Sequence, residues 1–282
     1  MAAQDAPMGF GAEGMWDTLA GAWDDRGEWH ATVTRELTEA MLESLDPQPH
    51  DTVIEVACGP TADIASAVAR RPGFTGTIRA GDLSAPMVQA AERRALRNNL
   101  DITFLQLDVT ELPLKSGSVD RLAARWIYML LPDPLQGLSE AARVLRPTGS
   151  LVFAVFASAA ENPFFMVPGA VLAEHGLLRP PVPGQPSMFA LADVNGTHQL
   201  VRDAGFTSSS VRNVPLTYRL ADPDDLWSLV SHFAGPISLA VRSQDEHTRD
   251  ELRGEIERRA EQFRDGTGYA LPGLARIFTA SF

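Results

Sequence analysis

Cysteine, lysine and long apolar runs are all scarce in this sequence. Cys58 is the single cysteine among 282 residues. An intramolecular disulfide and a metal site built from several thiolates are therefore excluded, and we expect no metal. No apolar run reaches the roughly 20 residues that span a bilayer, and the first residues lack the basic-then-apolar pattern of a secretory signal. The sequence predicts a cytoplasmic protein with no membrane partner.

Positive charge is also scarce. Lys and Arg together number 24 against 36 Asp and Glu, which gives a net charge of −12. The basic residues do not cluster, so we expect no nucleic-acid partner. The apolar content of 45% is ordinary for a globular protein, and 282 residues make one large domain or one domain with an insertion. The oligomeric state stays open, and a homodimer is compatible with the sequence.

Residues 52–84 organise the rest of the chain. They begin with TVIEV, a β-branched run that predicts a buried strand, and continue with ACGPTAD, a turn of small residues. A helix is predicted from there to Arg71, with Thr61 as its candidate N-cap, and then a second strand that ends on Asp82. Strand, turn, helix and a strand that ends in a carboxylate form the first half of a nucleotide-binding βαβ unit. The two carboxylate oxygens can accept both ribose hydroxyls.

Helices and strands continue to alternate as far as residue 157. After Asp82 the pattern predicts, in order, a helix capped by Ser84 and running to about Arg97, a strand over 101–108 that ends on Asp108, a fourth strand within 116–130, a helix from Asp133, a turn at 146–150 and a fifth strand over 150–157. Such strict alternation predicts an α/β fold with a doubly wound parallel sheet and helices on both faces.

The pattern changes after residue 160. We predict, in order, a helix from Asn162 to near Gly176, a proline-rich flap over 177–190, a helix over 193–206, a strand over 208–220, a helical insertion over 222–265 that is broken at Gly235, and a last strand over 273–282. The chain then divides into an N-terminal helical lid (1–50), a cofactor-binding core (51–160), a cap helix with the flap and a return helix (161–206), and the last two strands with their insertion (207–282). Apolar residues such as Phe165, Met188 and Phe233 indicate that the inserted segments cap the core.

Six segments, in this order and at this spacing, resemble the motifs of class I S-adenosylmethionine-dependent methyltransferases that act on small molecules. They are WDTLAGAWD (16–24), VIEVACGP (53–60), AGDLSAPMV (80–88), LQLDVTELPLKSGSVD (105–120), YMLLPDP (128–134) and RVLRPTGSLVF (143–153). The resemblance covers roughly residues 16–220 and the final strand. It implies a Rossmann-like, seven-stranded sheet with closing antiparallel strands and helical cap insertions. It also implies S-adenosyl-L-methionine as cofactor and O-, N- or C-methylation of a small, largely apolar metabolite of secondary metabolism.

The resemblance further implies a set of cofactor-binding residues. They are Trp16, Trp23, Glu55, Ala57, Cys58, Gly59, Pro60, Asp82, Leu83, Met87, Asp108, Val109 and Arg125. In that arrangement Asp82 accepts the ribose hydroxyls, and Leu83 and Met87 enclose the adenine with apolar atoms. The carboxylate of Asp108 accepts from the adenine amino group, and the N–H of Val109 donates to the ring.

The glycine motif departs from the family pattern, which has an acid followed by three alternating glycines. Here Glu55 is followed by Ala57, Gly59 and Thr61. A β-branched residue disfavours positive φ, so Thr61 either shifts the helix start by one residue or weakens cofactor binding. The second alternative leaves open a methyltransferase-fold protein that binds cofactor or ligand without methyl transfer, as a cyclase-type enzyme or a binding protein. A nicotinamide oxidoreductase would require G-x-G-x-x-G, which CGPTAD lacks.

No motif identifies a catalytic residue. Methyl transfer from a sulfonium is an in-line displacement, for which the protein mainly supplies proximity, orientation and a dry site. A base is needed only when the acceptor is a hydroxyl that must lose its proton. The candidates in the expected pocket segments are His30, Tyr128, Glu161, His175 and His232. For each histidine a surface or structural role is the more common one. Trp16 and Trp23 either close over the methionine end of the cofactor or only pack their helix.

Overall fold

The computed structural model describes residues 14–179, 182, 184–233 and 235–282. Its α-helices are α1 (Met15–Asp25), α2 (Gly27–Val33), α3 (Arg35–Leu45), α4 (Asp63–Ala69), α5 (Ala85–Arg97), α6 (Pro134–Val144), α7 (Pro163–Glu174), α8 (Val194–Asp203), α9 (Pro223–His232), α10 (Pro236–Arg242) and α11 (Glu246–Ala260). Its β-strands are β1 (Thr52–Val56), β2 (Thr77–Asp82), β3 (Thr103–Gln106), β4 (Val119–Arg125), β5 (Leu145–Phe156), β6 (Ser208–Leu220), β7 (Arg264–Asp265) and β8 (Gly268–Ser281).

One sheet joins the strands in the order β3-β2-β1-β4-β5-β8-β6, and the short β7 pairs with β8. The first five strands are parallel, whereas β8 runs antiparallel between β5 and β6. Residues 53–56 of β1 and 151–156 of β5 are buried without alternation, which shows that both faces of the sheet are covered. The predicted doubly wound fold with seven strands and a closing antiparallel pair is confirmed, and β7 is an addition to it.

The sheet has a topological switch point at β1. Its neighbours are β2 on one side and β4 on the other, so the chain builds the sheet outward in one direction and then returns to build it in the other. In open α/β sheets, ligands bind beyond the carboxyl ends of the strands at such a point. The residues that follow β1, β2 and β4 therefore lie where a ligand is expected.

Two predicted strand boundaries are wrong. The strand β5 begins at Leu145, earlier than the predicted residue 150, because Leu145 already pairs with Val119 of β4. The next residue of β5 paired with β4 is Ser150, opposite Arg121, so the predicted turn at 146–150 remains as a bend within the strand. A Cβ on Gly149 would approach the carbonyl oxygens of Arg146 and Asp120 to 3.0 Å, so this glycine allows the chain to bend tightly beside β4. The last strand begins at Gly268, earlier than the predicted residue 273, because β6 continues to pair with it as far as Tyr269.

The three N-terminal helices lie in two different parts of the fold. The third helix, α3, buries Leu37, Met41 and Leu45 against the sheet and α4, so it belongs to the core layer although the sequence placed it in the lid. The first two helices reach across to the inserted helices: the Arg26 guanidinium donates to Asp225 at 2.7 Å. Among the described residues, no helix is both long and apolar enough to cross a membrane.

Candidate functional site

A cleft lies at the switch point, beyond the carboxyl ends of β1, β2 and β4. It encloses about 1310 Å³, part of which is open to solvent. All the predicted cofactor-binding residues except Glu55 line it, namely Trp16, Trp23, Ala57, Cys58, Gly59, Pro60, Asp82, Leu83, Met87, Asp108, Val109 and Arg125. The sequence motifs therefore converge on one cavity, as the fold requires of a ligand site.

The turn after β1 places its left-handed residues differently from the glycine motif. Positive φ occurs at Ala57 (52°), Gly59 (58°) and Ala62 (43°), whereas Thr61 is not among the positive-φ residues. The predicted N-cap at Thr61 is wrong, because α4 begins at Asp63 and Ala62 occupies the cap position. Of the two alternatives for Thr61, the structure matches the shifted helix start. A Cβ on Gly59 would meet nothing within 4 Å, so open space lies above this part of the turn.

Glu55, which the resemblance placed among the cofactor-binding residues, does not line the cleft. It supports the turn after β1 and the start of α4 instead. It is 2% exposed, and its carboxylate accepts a hydrogen bond from the N–H of Ala65 at 2.7 Å. This bond satisfies one of the free N–H groups at the start of α4, where the residue at the cap position supplies no side-chain acceptor. Burial raises the pKa of Glu55 to about 7, although the charge of Arg125 acts in the opposite direction.

Asp82 is held in place by the backbone. One carboxylate oxygen accepts from the N–H of Gly59 at 3.0 Å, and the other accepts from the N–H of Ser84 at 3.0 Å. Burial raises the pKa of Asp82, while these hydrogen bonds act to lower it. Each oxygen keeps a second lone pair, so the fixed carboxylate can still accept two hydroxyl groups. As predicted, the hydroxyl of Ser84 caps α5, accepting from Met87, and it also donates to Asp17 at 2.5 Å.

The residues after β2 and β3 form the open end of the cleft. Leu83 is 59% exposed, which is unusual for a large apolar side chain and leaves a surface that a flat apolar ring can cover. Met87 is buried beneath it. Asp108 accepts from the N–H and the hydroxyl of Thr110 at 2.8 and 2.7 Å through one oxygen. This end therefore combines apolar surface with a fixed carboxylate.

A buried ion pair stands beside the cleft at the end of β4. Arg125 donates to Asp63 at 2.5 Å and also to the hydroxyls of Thr34 and Thr38. Burial by itself would raise the pKa of Asp63, but the charge and hydrogen bond of Arg125 hold it below its usual range. The pair is therefore ionised, and it fixes the guanidinium on the cleft wall.

Only one of the five predicted catalytic candidates lines the cleft, and this is His30. Tyr128 is buried behind the lining, and burial raises the pKa of its hydroxyl. Glu161 forms a capping box with Ser158, and His175 pairs with Glu255 at 3.1 Å on the exposed side of α7. His232 faces the carbonyl of Ser228 within α9. These four residues do not line the cleft, and each has a structural contact of its own or a buried place.

The apolar wall of the cleft includes residues that the sequence did not identify. Trp126, Phe156 and Tyr218 line it together with the expected Phe165, Met188 and Phe233. Trp126 directly follows β4 and holds φ at 59°, which is a rare conformation for a bulky residue. Its ring stacks on Phe156, with centroids 4.5 Å apart. The available signal was its place immediately after a strand at the switch point.

Trp16 and Trp23 both line the cleft and also pack their helix. Trp23 stacks on Phe233 with ring centroids 4.2 Å apart, and it meets Trp16 edge to face at 5.9 Å. Because Phe233 follows α9, this stacking joins the lid to the inserted helices over the cleft.

Comparison with known proteins identifies relatives over the core. Residues 54–153 match the family described as "Methyltransferase domain". Nocamycin O-methyltransferase of Saccharothrix syringae is 33% identical over 139 residues, which are 49% of this chain and 48% of that protein. The 27-O-demethylrifamycin SV methyltransferase of Amycolatopsis mediterranei is 27% identical over 197 residues, 69% of this chain and 68% of that protein. The chain covers 34% and 59% of two further curated relatives, so it spans about half the length of several proteins that it matches.

Solved structures extend the similarity to nearly the whole chain. Phosphoethanolamine N-methyltransferase 2 of Haemonchus contortus, in complex with S-adenosyl-L-methionine, matches with a TM-score of 0.58 over 96% of this chain and 60% of that one. The identity is 14%, so this likeness concerns the fold alone.

Proposed function

We propose that this chain is a class I S-adenosylmethionine-dependent methyltransferase that transfers a methyl group to a small, largely apolar metabolite. The match of residues 54–153 to the family described as "Methyltransferase domain" supports this proposal. The observation that carries the proposal is the cleft itself. It has the fixed carboxylate of Asp82 at one end and a wall of aromatic side chains at the other. The two ends suit a nucleoside cofactor and an apolar acceptor respectively.

The residues of the cleft fit S-adenosyl-L-methionine. Asp82 would hold the ribose, because its oxygens are fixed by backbone N–H groups and each keeps a free lone pair. Leu83 and Met87 would enclose the adenine, with Asp108 and Val109 at its polar edge. The turn at 57–60, together with Trp16, Trp23 and Arg125, would hold the methionine portion, since the space above Gly59 is open.

The cofactor supplies a methyl group on a positively charged sulfonium. The contribution of this chain is to bind, orient and exclude water. Trp23 and Phe233 close the lid over the cleft by stacking, and Trp126 and Phe156 form a flat apolar wall on the acceptor side. Proximity and desolvation of this kind are sufficient for a displacement that the sulfonium already activates.

The flat apolar wall of Trp126 and Phe156 supports a small apolar metabolite as the methyl acceptor. Two relatives carry names that refer to the methylation of nocamycin and of 27-O-demethylrifamycin SV, which fits a role in secondary metabolism. The net charge of −12 favours a small molecule over nucleic acid or an anionic membrane as the partner. A cytoplasmic location is part of the same proposal.

Asp82→Asn tests the cofactor assignment. The variant keeps the shape of the side chain and removes its charge. We expect the affinity for S-adenosylmethionine to fall by tenfold or more, because the free energy of a hydrogen bond to a charged group is lost. Titration calorimetry measures it, with Asp250→Asn on the exposed side of α11 as the matched control. Equal affinities of Asp82→Asn and the wild type would refute the assignment.

The alternative is a protein of this fold that binds cofactor or ligand without methyl transfer. Its main support was Thr61, and that support weakens because the left-handed positions fall on Ala57, Gly59 and Ala62. Mass spectrometry decides between the two. Incubation with S-adenosylmethionine and the small molecules that co-purify with the protein should yield S-adenosylhomocysteine and a product heavier by one methyl group. Cofactor binding without either product would favour the alternative.

A further inference from the structure

Hydrogen-bond donors without a partner lie on the side of the cleft that we assign to the methyl acceptor. Among the described residues, seven buried polar side-chain atoms have no hydrogen-bond partner, and four of these belong to residues that line the cleft. The four are Trp23 Nε1, His30 Nε2, Trp126 Nε1 and the Tyr218 hydroxyl. In contrast, Trp29 does not line the cleft, and its Nε1 donates to the carbonyl of Arg219 at 3.0 Å. A buried polar group without a partner costs about 1–3 kcal/mol, so a ligand is the natural partner for these atoms.

These atoms lie away from the carboxylates of the cleft. Trp126 follows β4 and Tyr218 lies on β6, whereas Asp82 and Asp108 follow β2 and β3 at the other end of the strand order. The ring of His30 packs between Trp23 and Trp126, with centroid distances of 5.4 and 5.5 Å. The acceptor side of the lining therefore offers hydrogen-bond donors without a carboxylate among the described residues.

The chemistry of the four groups is that of donors. An indole N–H can only donate, and a tyrosine hydroxyl or a neutral imidazole can each donate one hydrogen bond. Arg125 brings a guanidinium, paired with Asp63, close to this wall. Burial lowers the pKa of His30 and the charge of Arg125 lowers it further, whereas burial raises the pKa of the Tyr218 hydroxyl in spite of Arg125, so this hydroxyl keeps its proton and can donate. A group that carries negative charge is the complement of such a wall.

Trp126 holds its place in the aromatic wall through a strained backbone conformation. Its φ of 59° is expensive for a bulky side chain, about 1–3 kcal/mol. The conformation is maintained by the backbone bond to Ala154 at 2.9 Å and by the stacking on Phe156. Strain that is retained in this way clusters at functional sites, which places the indole in a role beyond packing.

His30 is unsuited to remove a proton. Burial and the charge of Arg125 lower its pKa to about 3, against the smaller opposite effect of Asp63. The remaining neighbours of the ring are Trp23, Trp126 and Phe233, which carry no charge. An imidazolium at this place would lack solvation, so the ring stays neutral at physiological pH.

We propose, building on the function proposed above, that the acceptor is bound as an oxyanion on a flat apolar frame, with the Trp126 Nε1 and the Tyr218 hydroxyl donating to it. The ionised oxygen attacks the methyl carbon with its own electron pair. The C–S bond breaks and its electron pair stays on sulfur, so an anion and a sulfonium become two neutral products. No proton has to leave the oxygen during transfer, and no side chain acts as a base. Two acceptor classes share this chemistry, namely phenolates or enolates, and carboxylates.

The ionisation of a coloured phenol tests the proposal. The probe is 4-nitrophenol, whose phenolate absorbs visible light, bound to the protein loaded with S-adenosylhomocysteine. We expect the bound probe to ionise at a pH lower by about 1 unit or more than in water, because hydrogen bonds from Trp126 and Tyr218 stabilise the charged form of an acid. The neutral analogue 4-nitroanisole should bind at least about tenfold more weakly. Benzoate, titrated by calorimetry, distinguishes carboxylate acceptors from phenolate acceptors.

Two variants and one control assign the effect to the donors. Tyr218→Phe and Trp126→Phe keep the aromatic ring and remove the donor, so each should weaken binding of the anionic probe by roughly fivefold to tenfold and raise the pKa of the bound 4-nitrophenol. Tyr128→Phe removes an equally buried and unpartnered hydroxyl outside the lining, and it should change neither quantity. The affinity for S-adenosylhomocysteine should be the same in all four proteins.

Several results would overturn the proposal: an unchanged or raised pKa of bound 4-nitrophenol, equal binding of 4-nitroanisole, no binding of either anion, or equal losses in all three variants. Failure of the wild type to bind S-adenosylhomocysteine would instead contradict the proposed function. The same probe titration on the cofactor-free protein would then still test the donors, with the same expected shift and the same contradicting results.

Discussion

Ala62 carries a backbone conformation that the glycine motif assigns to its neighbour. Its φ is 43°, and a left-handed conformation costs an L-residue about 1–2 kcal/mol. We expect Ala62→Gly to raise the free energy of unfolding by up to about 1 kcal/mol. Thr61→Gly, at a position without positive φ, should lower it by about 1 kcal/mol through backbone entropy. Urea denaturation measures both changes.

The same pair of variants tests the effect of Thr61 on cofactor binding. Neither substitution removes a group that we assign to the cofactor, so the affinity for S-adenosylhomocysteine should stay unchanged in both variants. A severalfold gain in affinity for Thr61→Gly alone would show that the threonine does weaken the site.

Glu55 should make stability depend on pH. Its pKa is about 7 in the folded protein against 4.5 in an ordinary glutamate, so the folded protein holds a proton that the unfolded chain releases between these values. Stability therefore falls as pH rises through this range. In Glu55→Gln the amide oxygen can still accept from Ala65, and no proton is released. Relative to the wild type, the variant should gain about 2–3 kcal/mol in free energy of unfolding between pH 5 and pH 8.

His30 also makes the stability of the protein depend on pH, so the effect of Glu55 is seen only in the difference between Glu55→Gln and the wild type. Its pKa is lowered from 6.5 to about 3, so the unfolded chain binds a proton that the folded protein does not, and stability falls as pH falls through that range. Between about pH 4.5 and 6.5 this trend opposes that of Glu55, and the pH profile of the wild type conceals both. A difference between Glu55→Gln and the wild type that is constant from pH 5 to 8 would show an ordinary pKa for Glu55.

The sequence predicted the cofactor end of the cleft better than the acceptor end. Asp82, Leu83 and Met87 belong to a motif whose spacing is set by one βαβ unit, so local order was enough to place them. Trp126 and Tyr218 come from β4 and β6, which become neighbours of the cleft only through the strand order of the whole sheet. The place of Trp126 directly after a strand was the one local signal, and nothing local in the sequence relates Tyr218 to the cleft.

At the scale of elements, α1 and α2 act as a bridge between the core and the inserted helices. Asp24 in α1 accepts from Arg94 in α5 at 2.7 Å. At the junction of α1 and α2, Arg26 donates to Asp225 at 2.7 Å and to Ser228 at 2.8 Å in α9. The lid is therefore tied on both sides of the cleft, and its opening must break at least one tie.

Arg26→Met should weaken the tie to α9. The aliphatic replacement keeps much of the side-chain volume and removes two hydrogen bonds, which we value at about 1 kcal/mol because the pair is partly exposed. Dissociation of S-adenosylhomocysteine, followed by stopped-flow fluorescence, should become roughly fivefold faster. Arg212→Met breaks an exposed ion pair with Glu43 and is the control. Equal dissociation rates for the two variants would contradict a lid that opens at Arg26.

Element types were more predictable than element ends. The limits of β6, residues 208–220, agree with the prediction, because a long alternating run ends at clear polar breaks. Within the segment 1–50 that the sequence predicted as helical, α2 and α3 meet at Thr34. Its hydroxyl donates to the carbonyl of His30 at 2.8 Å and is within 3.3 Å of Arg125. This break depends on a contact across the fold and so has no local signal in the sequence.

At the scale of the whole molecule, the cap is narrower than the sequence predicted. Of the inserted segments, the described residues that line the cleft are Phe165, Met188, Phe233 and Gly235. Other apolar residues of the insertion, among them Trp227 in α9 and Ile237 in α10, do not line it. The last inserted helix, α11, contributes nothing to the lining and packs on α7 and α9. The division of the insertion into a lining part and a supporting part follows from this arrangement.

Hydrogen exchange should reveal the same division. When S-adenosylhomocysteine and 4-nitrophenol bind, we expect protection to rise in peptides that cover α1 and α2, the first turns of α7, residues 184–190 and the turn around Phe233, because ligands bury and order these segments. Peptides of α11 should exchange at an unchanged rate, since this helix supports the cap from outside. They are the internal control, because they share the insertion without touching the cleft. Protection limited to residues 52–110 would show that the inserted segments do not close over the site, whereas equal protection of α11 would show that the insertion responds as one rigid unit.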